Sequence, residues 1–281
     1  MYFLFTIFSL LINLNSIYHL AIQASIDASN VIKKIYYSNI EVEIKEDGSP
    51  VTQADLMSSK VISDHLLSTG IPIMGEEREK SDFETRKKWE SHWCVDPLDG
   101  TKMFILKNDE FAVNIAHVKG GSAIFGLIAD PIKQRIIIGV KNNGVFTFDF
   151  EDANSPEKWN KISAQENRNQ PVVVACSRSF GSKINGQKVF GYDETLTKEY
   201  GEFNYLKKGS ALKFFELAEG RADVYVRLGP TMEWDIAAGQ IIIEELGGRI
   251  ESIEDGKRLI YNKESLFNPS FIVKTKAVLG E

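Results

Sequence analysis

Apolar residues recur at helical spacing near the start of the chain. Between positions 17 and 35 nearly every third or fourth residue is apolar, and Asn15 or Ser16 is a suitable N-cap, so we predict a long amphipathic helix. A second helix is predicted to begin after Thr52, because Thr52 and Asp55 match a capping box and an apolar face follows them.

Short apolar segments separated by turn signals fill the middle of the chain. Gly-Gly, Asp-Pro and Asn-Asn-Gly sequences separate the later ones at close intervals, which predicts an antiparallel meander. The predicted strands cover residues 71–74, 92–95, 111–118, 122–129, 134–140 and 145–149. The polar segment 151–170 is the predicted boundary between two halves.

The second half mixes strands with helices. The predicted strands are 171–176, 222–227 and 270–275, and the predicted helices are 210–219 and 233–246. Strands covered by helices predict a layered α/β or α+β protein. Hydrophobic residues make up 43% and charged residues 26% of the chain, which excludes disordered, collagenous and coiled-coil proteins.

Charge and cysteine usage narrow the functional classes. The chain has 33 Lys and Arg against 39 Asp and Glu, a net charge of −6, so we expect no nucleic-acid polymer as a partner. Two cysteines, Cys94 and Cys176, cannot form a disulfide framework and fit a reducing compartment. We therefore expect a cytoplasmic protein, and no stable protein partner is implied.

Residues 1–14 are almost entirely apolar. The run is shorter than the roughly 20 apolar residues of a transmembrane helix, and it has neither the basic start nor the cleavage site of a signal peptide. We interpret it as an extension outside the working fold, whose deletion should leave activity within a few-fold. The alternatives are weak contact with the inner face of a membrane, a mis-assigned start codon and a packed terminal helix.

The clearest chemical signal is an acidic loop after a predicted strand. Asp96 and Asp99 are three residues apart, and Pro97 denies Asp96 a helical continuation, so both carboxylates can converge on one point. Gly100 permits close backbone approach, and the amides of Gly100 and Thr101 can begin a helix, whose N-terminus favours anions. Carboxylate oxygens suit hard cations such as Mg²⁺. One loop thus offers ligands for a cation beside donors for a phosphate.

Two further acids weigh against the alternative that this loop is a capped surface turn. Glu76 follows another predicted strand. Asp235 lies in the first turn of an apolar helix, where a buried acid needs a partner. We therefore expect the acids to form one site.

These segments resemble a known family. Glu76-Glu77, Asp96-Pro-Leu-Asp-Gly-Thr101 and Trp234-Asp-Ile-Ala-Ala-Gly239 occur in the order of the motifs of the inositol monophosphatase superfamily, whose members are metal-dependent, lithium-sensitive phosphatases. The resemblance runs from about residue 16 to the C-terminus. It implies the layered αβαβα sandwich of the sugar phosphatases.

Longer stretches resemble one branch of that superfamily, the 3′(2′),5′-bisphosphate nucleotidases of the CysQ type. The matching stretches are 51–55, 96–104, 111–115, 177–179, 209–214, 218–225 and 227–235. Phe180 departs from the branch, which usually has His there. Leu106 and Asp109 replace a basic residue and a glycine, and Val226 replaces a proline. These departures concern the fit of the substrate and remove no metal ligand.

The resemblance implies a role for each site residue. The implied metal ligands are Glu76, Asp96, the carbonyl of Leu98, Asp99 and Asp235. Thr101, backed by Asp55 and assisted by Glu76, would orient the attacking water. The implied substrate-binding residues are Gly100, Thr101, Ser177, Arg178, Ser210, Lys213, Arg227 and Asp235. Among these, Arg178, Lys213 and Arg227 would hold a second phosphate.

No histidine base is required, because a bound metal lowers the pKa of its water. The four histidines fall outside every motif, and we expect them to be structural or solvated.

The implied function is a Mg²⁺-dependent phosphomonoesterase with two or three ions and with inhibition by Li⁺. It would hydrolyse the 3′-phosphate of adenosine 3′,5′-bisphosphate, a small bisphosphorylated nucleotide, to AMP and phosphate in sulfate assimilation. One domain, residues 15–281, would have a metal-binding half at 15–150 and a nucleotide side at 171–281. The alternatives are an inositol or sugar monophosphatase and a catalytically silent, phosphatase-like regulatory protein. The intact acids argue against the silent protein.

Overall fold

The computed structural model describes residues 14–38, 40–45, 48, 50–178, 183–184, 187–188 and 192–280. Leu14, the last residue of the predicted extension, is buried in a core cluster with the first helix. Residues 1–13 and Phe180 lie outside the described residues. No helix within the described ranges is both long and apolar enough to cross a membrane.

Both predicted N-terminal helices are present. The first elements are α1 (Ser16–Tyr36), β1 (Val42–Ile44), β2 (Pro50–Thr52) and α2 (Gln53–Leu66). The side chain of Asn15 accepts a hydrogen bond from the N–H of Ile17 and caps α1. Thr52 and Asp55 form the predicted capping box of α2. Strands β1 and β2 form an antiparallel hairpin between the two helices.

A seven-stranded sheet organises the first half. Its strands are β3 (Ile73–Gly75), β4 (Ser91–Asp99), β5 (Ala112–Lys119), β6 (Ser122–Asp130), β7 (Arg135–Val140), β8 (Gly144–Asp149) and β9 (Asn160–Ile162). They lie side by side in chain order, antiparallel from β4 to β9, with β3 parallel to β4. The predicted meander is therefore confirmed, and the sheet continues beyond residue 150 through β9. Two short helices, α3 (Phe83–Arg86) and α4 (Thr101–Ile105), flank β4.

The second half is built on a five-stranded sheet in the order β13-β10-β14-β18-β16. Its elements are β10 (Val172–Cys176), β11 (Lys183–Ile184), β12 (Gln187–Lys188), α5 (Asp193–Tyr200), β13 (Phe203–Lys207), α6 (Lys213–Ala218), β14 (Val224–Arg227), β15 (Thr231–Met232), α7 (Glu233–Glu245), β16 (Arg249–Ser252), β17 (Phe267–Asn268), β18 (Phe271–Lys274) and α8 (Lys276–Leu279).

Alternating side chains place a helical layer on each face of the large sheet. Trp93 and Val95 of β4 pack with α1 and α2, whereas Cys94 belongs to the cluster that contains α6 and α7. Gly126 and Gly139 let the backbone of α7 approach closely. A Cβ on Gly126 would lie 2.4 Å from the carbonyl oxygen of Ala238.

Residues of α6 and α7 also pack on the small sheet, whose opposite face packs against α5 and α8. The layers are thus α1 and α2, the large sheet, α6 and α7, the small sheet, and α5 and α8. This is the predicted αβαβα sandwich, which is confirmed.

Some predicted boundaries were wrong. The helix predicted to begin at Ser210 begins at Lys213, because Ser210 has a φ of +50° and belongs to the preceding turn. Strand β4 continues through Asp99 instead of ending at Val95, with a register shift against β5 between Asp96 and Asp99. This irregularity brings the acidic loop into the sheet.

Candidate active site

A cavity of about 450 Å³ opens at the carboxyl end of β4, beside the first residues of α4, α6 and α7. Every site residue predicted from the sequence lines this cavity except Asp55, which lies behind Thr101. Two parts of the lining carry opposite charges. The acidic wall consists of Glu76, Asp96, Asp99 and Asp235. The basic wall consists of Arg178, Lys213 and Arg227.

The sheet topology brings the acidic wall together. Strands β3 and β4 are parallel, so Glu76, just after β3, lies beside the end of β4 that carries Asp96. The first turn of α7 supplies Asp235, whose carboxylate accepts a hydrogen bond from the N–H of Met232. Carboxylate oxygens of Glu76, Asp96 and Asp235 all lie within 4.8 Å of one another. Three acids distant in sequence thus meet at one point.

Asp99 lines the same cavity but is held separately. Its Oδ2 accepts hydrogen bonds from the N–H of Ala211, at 2.5 Å, and from Asn114, at 3.4 Å. These contacts connect the acidic loop of the first half to the turn before α6. The carbonyl oxygen of Leu98 lies 3.3 Å from the hydroxyl oxygen of Thr101.

Burial and mutual repulsion raise the pKa values of the acidic wall. The pKa of Asp96 is raised well above its ordinary value by burial and then by the charges of Glu76, Asp99 and Asp235. Burial and the charge of Asp99 raise the pKa of Asp235 to about 8. Burial also raises the pKa of Glu76, although the ammonium group of Lys45, 3.2 Å away, opposes the shift. The cations near these carboxylates therefore compensate only part of their negative charge.

This donor set fits a divalent cation. Oxygen-only ligands suit Mg²⁺, and a cation among Glu76, Asp96 and Asp235 would supply the charge that the wall lacks. Lys45 also contacts Glu77, at 2.5 Å, so it neutralises only part of the acidic charge near the cavity.

Behind this wall, Asp55 orients Thr101. The Thr101 hydroxyl donates a hydrogen bond of 2.8 Å to Oδ1 of Asp55. Oδ2 of Asp55 accepts from the N–H and the hydroxyl of Thr52, at 2.7 and 2.6 Å. Asp55 is buried and held on both oxygens, so the capping box of α2 also fixes the hydroxyl that faces the cavity.

Gly100 makes the tight turn before α4. Its φ is +96°, and a Cβ there would lie 2.9 Å from the carbonyl oxygen of Glu110 and 3.2 Å from Cβ of Ser210. A larger residue would therefore push apart the segments that carry Glu110 and Ser210, of which Ser210 lines the cavity.

The cations of the basic wall already have protein partners. Arg178 forms a two-pronged ion pair with Glu110. Lys213 is buried and donates to the carbonyls of Ser210, at 2.5 Å, and Lys208, at 3.2 Å. Burial lowers the pKa of Lys213 to about 8, against the favourable charge of Asp99.

One donor of Arg227 is buried without a partner among the residues described. Its Nη2 donates to the carbonyl of Pro230 at 3.1 Å. The buried donor is its Nε. A buried unpaired donor is costly, so this N–H is available for an anion in the cavity.

The predicted serines have different surroundings. Ser210 has its hydroxyl oxygen 3.3 Å from the N–H of Leu212, an arrangement that stabilises the turn before α6. Ser177 lines the cavity next to Arg178.

Sequence analysis missed Glu110 and Lys45. Glu110 is a buried acid two residues before β5, a strand whose residues are all buried except Lys119, and such a position requires a partner. That signal was present, but the partner, Arg178, is 68 residues away. Lys45 precedes a turn and gave no signal of its own.

The four histidines lie outside the cavity lining. His92 and His117 are buried, and burial lowers the pKa of each to about 4. Each is therefore structural, as expected, but has an Nε2 atom without a partner in the part of the chain described. His65 forms a 2.9 Å contact with Asp27.

Comparisons with known proteins agree with this geometry. A profile described as "Inositol monophosphatase family" matches residues 13–278. The protein named 3′(2′),5′-bisphosphate nucleotidase CysQ from Escherichia coli K12 is 35% identical over 260 residues, which cover 89% of this chain and 96% of that protein.

Solved structures share the fold. The crystal structure of CysQ from Bacteroides thetaiotaomicron is 34% identical, with a TM-score of 0.76 over 92% of this chain and 96% of that one. A more distant structure, an IMPase/NADP phosphatase complexed with Mg²⁺ and phosphate, is 17% identical with a TM-score of 0.70, covering 89% of this chain and 87% of that one. At that identity the likeness concerns the fold alone.

Proposed function

The chain belongs to the inositol monophosphatase family, and from that premise we propose that it is a Mg²⁺-dependent 3′(2′),5′-bisphosphate nucleotidase. Its substrate would be adenosine 3′,5′-bisphosphate, hydrolysed at the 3′-phosphate to AMP and phosphate. One observation carries the proposal: a single cavity is lined by both the acidic wall and the basic wall. The first suits a cation and the second suits an additional phosphate.

Mg²⁺ would be held by Glu76, Asp96 and Asp235, with Asp99 and the carbonyl of Leu98 as further ligands. When bound, Mg²⁺ neutralises charge on a phosphate monoester and lowers the pKa of water. The number of ions, two or three, and inhibition by Li⁺ follow from the family resemblance and stay predictions.

Thr101 and Asp55 would orient the attacking water. Because the Thr101 hydroxyl donates its proton to Asp55, its oxygen lone pairs remain for a hydrogen bond from water. That bond would aim an oxygen lone pair of the water at phosphorus, with Glu76 assisting from the other side. The raised pKa of Asp55, caused by its burial, does not prevent this role, since Asp55 acts as an acceptor.

The two phosphates would bind at opposite sides of the cavity. The N–H groups of Gly100 and Thr101 would hold the phosphate that reacts, with Asp235 close to the leaving oxygen. Ser177, Ser210 and the basic wall would hold the other phosphate. The unpaired Nε of Arg227 supports this assignment, because an anion would satisfy it.

A phosphate-release panel tests the proposal. Adenosine 3′,5′-bisphosphate, AMP, inositol 1-phosphate and fructose 1,6-bisphosphate would each be assayed with Mg²⁺ and with a chelator. We expect the highest kcat/KM for the bisphosphate nucleotide and no turnover with chelator. A preference for inositol 1-phosphate would make the protein an inositol or sugar monophosphatase. Absence of turnover on every substrate would indicate the silent regulatory protein.

A further inference from the structure

Glu110 lies where three parts of the cavity wall meet. It is 6% exposed, between the end of α4 and the buried residue Phe111. Its carbonyl oxygen and Cβ contact the positions where side chains would grow from Gly100 and Gly209. The acidic loop, the turn before α6 and the segment after β10 therefore converge on Glu110.

That carboxylate binds the guanidinium group of Arg178. Nε of Arg178 donates to Oε2 of Glu110, and Nη2 donates to Oε1, both at 2.5 Å. Oε2 also accepts from the N–H of Gly209 at 2.8 Å, and the ammonium of Lys208 lies 3.7 Å from Oε1. Burial alone would raise the pKa of Glu110, but these bonds from Arg178 and Gly209 lower it, so the group is an ionised acceptor.

The geometry leaves Arg178 free to bind substrate. The Arg178 side chain is 49% exposed, against 8% for Glu110, and Arg178 lines the cavity. A guanidinium has five N–H donors, of which Glu110 engages two. A fork-to-fork pair also fixes the plane of the guanidinium. Glu110 thus restricts the orientations of an exposed arginine without occupying all of its donors.

The loop that carries Glu110 is itself anchored. Tyr36 of α1 donates to Oδ1 of Asp109 at 2.7 Å, and the N–H of Asp109 lies 3.2 Å from the Tyr36 oxygen. Asp109 has a φ of +62°, which explains the glycine usual at this position. The contact with Tyr36 stabilises a non-glycine residue there.

We infer that Glu110 is a positioning residue for the second phosphate: it holds Arg178 in the orientation that binds this group and makes no contact with the substrate itself. This inference rests on the proposed function. Its consequence is a specificity effect, because a substrate with one phosphate has no need of an oriented Arg178.

Two substrates that differ by one group test the inference. Adenosine 3′,5′-bisphosphate and adenosine 3′-monophosphate share the reacting phosphate, and only the first has a 5′-phosphate. In Glu110→Gln, the KM for the bisphosphate should rise about tenfold, equivalent to about 1.4 kcal/mol, because a neutral amide orients Arg178 poorly. The kcat for the bisphosphate and the KM for the monophosphate should stay within about twofold of wild type, since neither depends on Arg178.

Two further variants separate positioning from folding. Arg178→Gln breaks the same pair from its exposed side, where folding is least at risk, and should raise the same KM. Glu110→Gln combined with Arg178→Gln should be no worse than Arg178→Gln alone, because Glu110 acts through Arg178. Glu244→Gln is the matched control: Glu244 forms a similar two-pronged pair with Arg258 outside the cavity lining, at 2.6 and 2.7 Å.

The outcomes distinguish the proposed function from the inference about Glu110. A wild-type enzyme that does not prefer the bisphosphate to the monophosphate would overturn the proposed function, and this inference with it. A wild-type preference combined with equal losses on both substrates in Glu110→Gln, or with additive losses in the double variant, would overturn the inference alone. A selective rise in KM that is not additive supports it.

Discussion

The two walls of the cavity compensate their charges differently. In the acidic wall, Asp96 is buried and Asp99 and Asp235 are partly buried near it, and the pKa of each is raised. In the basic wall, every cation has at least one partner: a carboxylate for Arg178 and backbone carbonyls for Lys213 and Arg227. The chain's own cations compensate the acidic wall only in part, and we propose that a bound cation supplies the rest, whereas the basic wall is preorganised by the protein.

Replacing the central acid should give the largest effect. Asp96→Asn should lower kcat by about 10³-fold or more, because Asp96 lies at the centre of the proposed cation site. Phosphate release at saturating Mg²⁺ measures it. Asp64→Asn, an exposed change on α2, is the control and should keep full activity. Near-normal turnover in Asp96→Asn would remove the acidic wall from the mechanism.

Truncating a cation of the basic wall should weaken substrate binding and leave kcat unchanged. Arg227→Ala should raise the KM for adenosine 3′,5′-bisphosphate roughly 10- to 150-fold, the effect of losing a charged hydrogen bond of about 1.5–3 kcal/mol. Adenosine 3′-monophosphate should hardly respond, because it lacks the second phosphate. The exposed residue Arg168, changed to Ala, is the matched control. Equal losses on both substrates would mean that Arg227 supports the fold or the metal site.

The acidic wall should also make the metal-free protein sensitive to pH. The pKa of Asp235 is about 8 in the folded chain against 3.8 ordinarily, so between these values the folded state binds a proton that the unfolded state has lost. The free energy of unfolding should therefore fall as pH rises from about 4 to about 8, by at most about 1.4 kcal/mol per pH unit for one group. Denaturant unfolding in chelator measures it.

Two comparisons sharpen that result. Asp235→Asn should reduce the slope without abolishing it, because the pKa of Asp96 is raised as well. Saturating Mg²⁺ should flatten the slope of the wild type, because a bound cation favours the ionised carboxylates. Asp64→Asn should leave the slope unchanged. A metal-free protein equally stable from pH 5 to pH 8 would show that these carboxylates are already compensated.

The smallest expected effect concerns Lys213. Burial lowers its pKa to about 8, so its charge is lost as pH rises through that value. The KM for the bisphosphate should rise a few-fold between about pH 7 and pH 9, and Lys213→Arg should reduce this rise because arginine stays charged. Steady-state kinetics across this range measure it. An identical pH profile in both proteins would exclude Lys213 from the second-phosphate site.

Local sequence signals predicted much of this molecule. The capping box at Thr52 and Asp55, the meander and the helix after Met232 depend on neighbouring residues and were predicted correctly. The motif around Asp96 also depends on neighbouring residues, since the predicted strand, Pro97 and Gly100 lie within a few residues of one another. These features required no knowledge of distant contacts.

Features that depend on distant contacts were missed. Helix α5 and strand β13 were not predicted, because α5 buries only Leu196 and Tyr200 and is otherwise polar. The Glu110–Arg178 pair joins residues 68 apart, and Asp99 contacts the N–H of Ala211 across 112 residues. Such pairs arise from packing of the two halves, which residue patterns do not reveal.

Calorimetric titration of the substrate-free protein with Mg²⁺ tests the difference between the walls most directly. Saturable binding is expected in the wild type, and it should be abolished in Asp96→Asn. Arg178→Gln, a change in the basic wall, should bind Mg²⁺ like the wild type, because Arg178 pairs with Glu110 rather than with the acidic wall. No Mg²⁺ binding by the wild type, or unchanged binding by Asp96→Asn, would contradict the account.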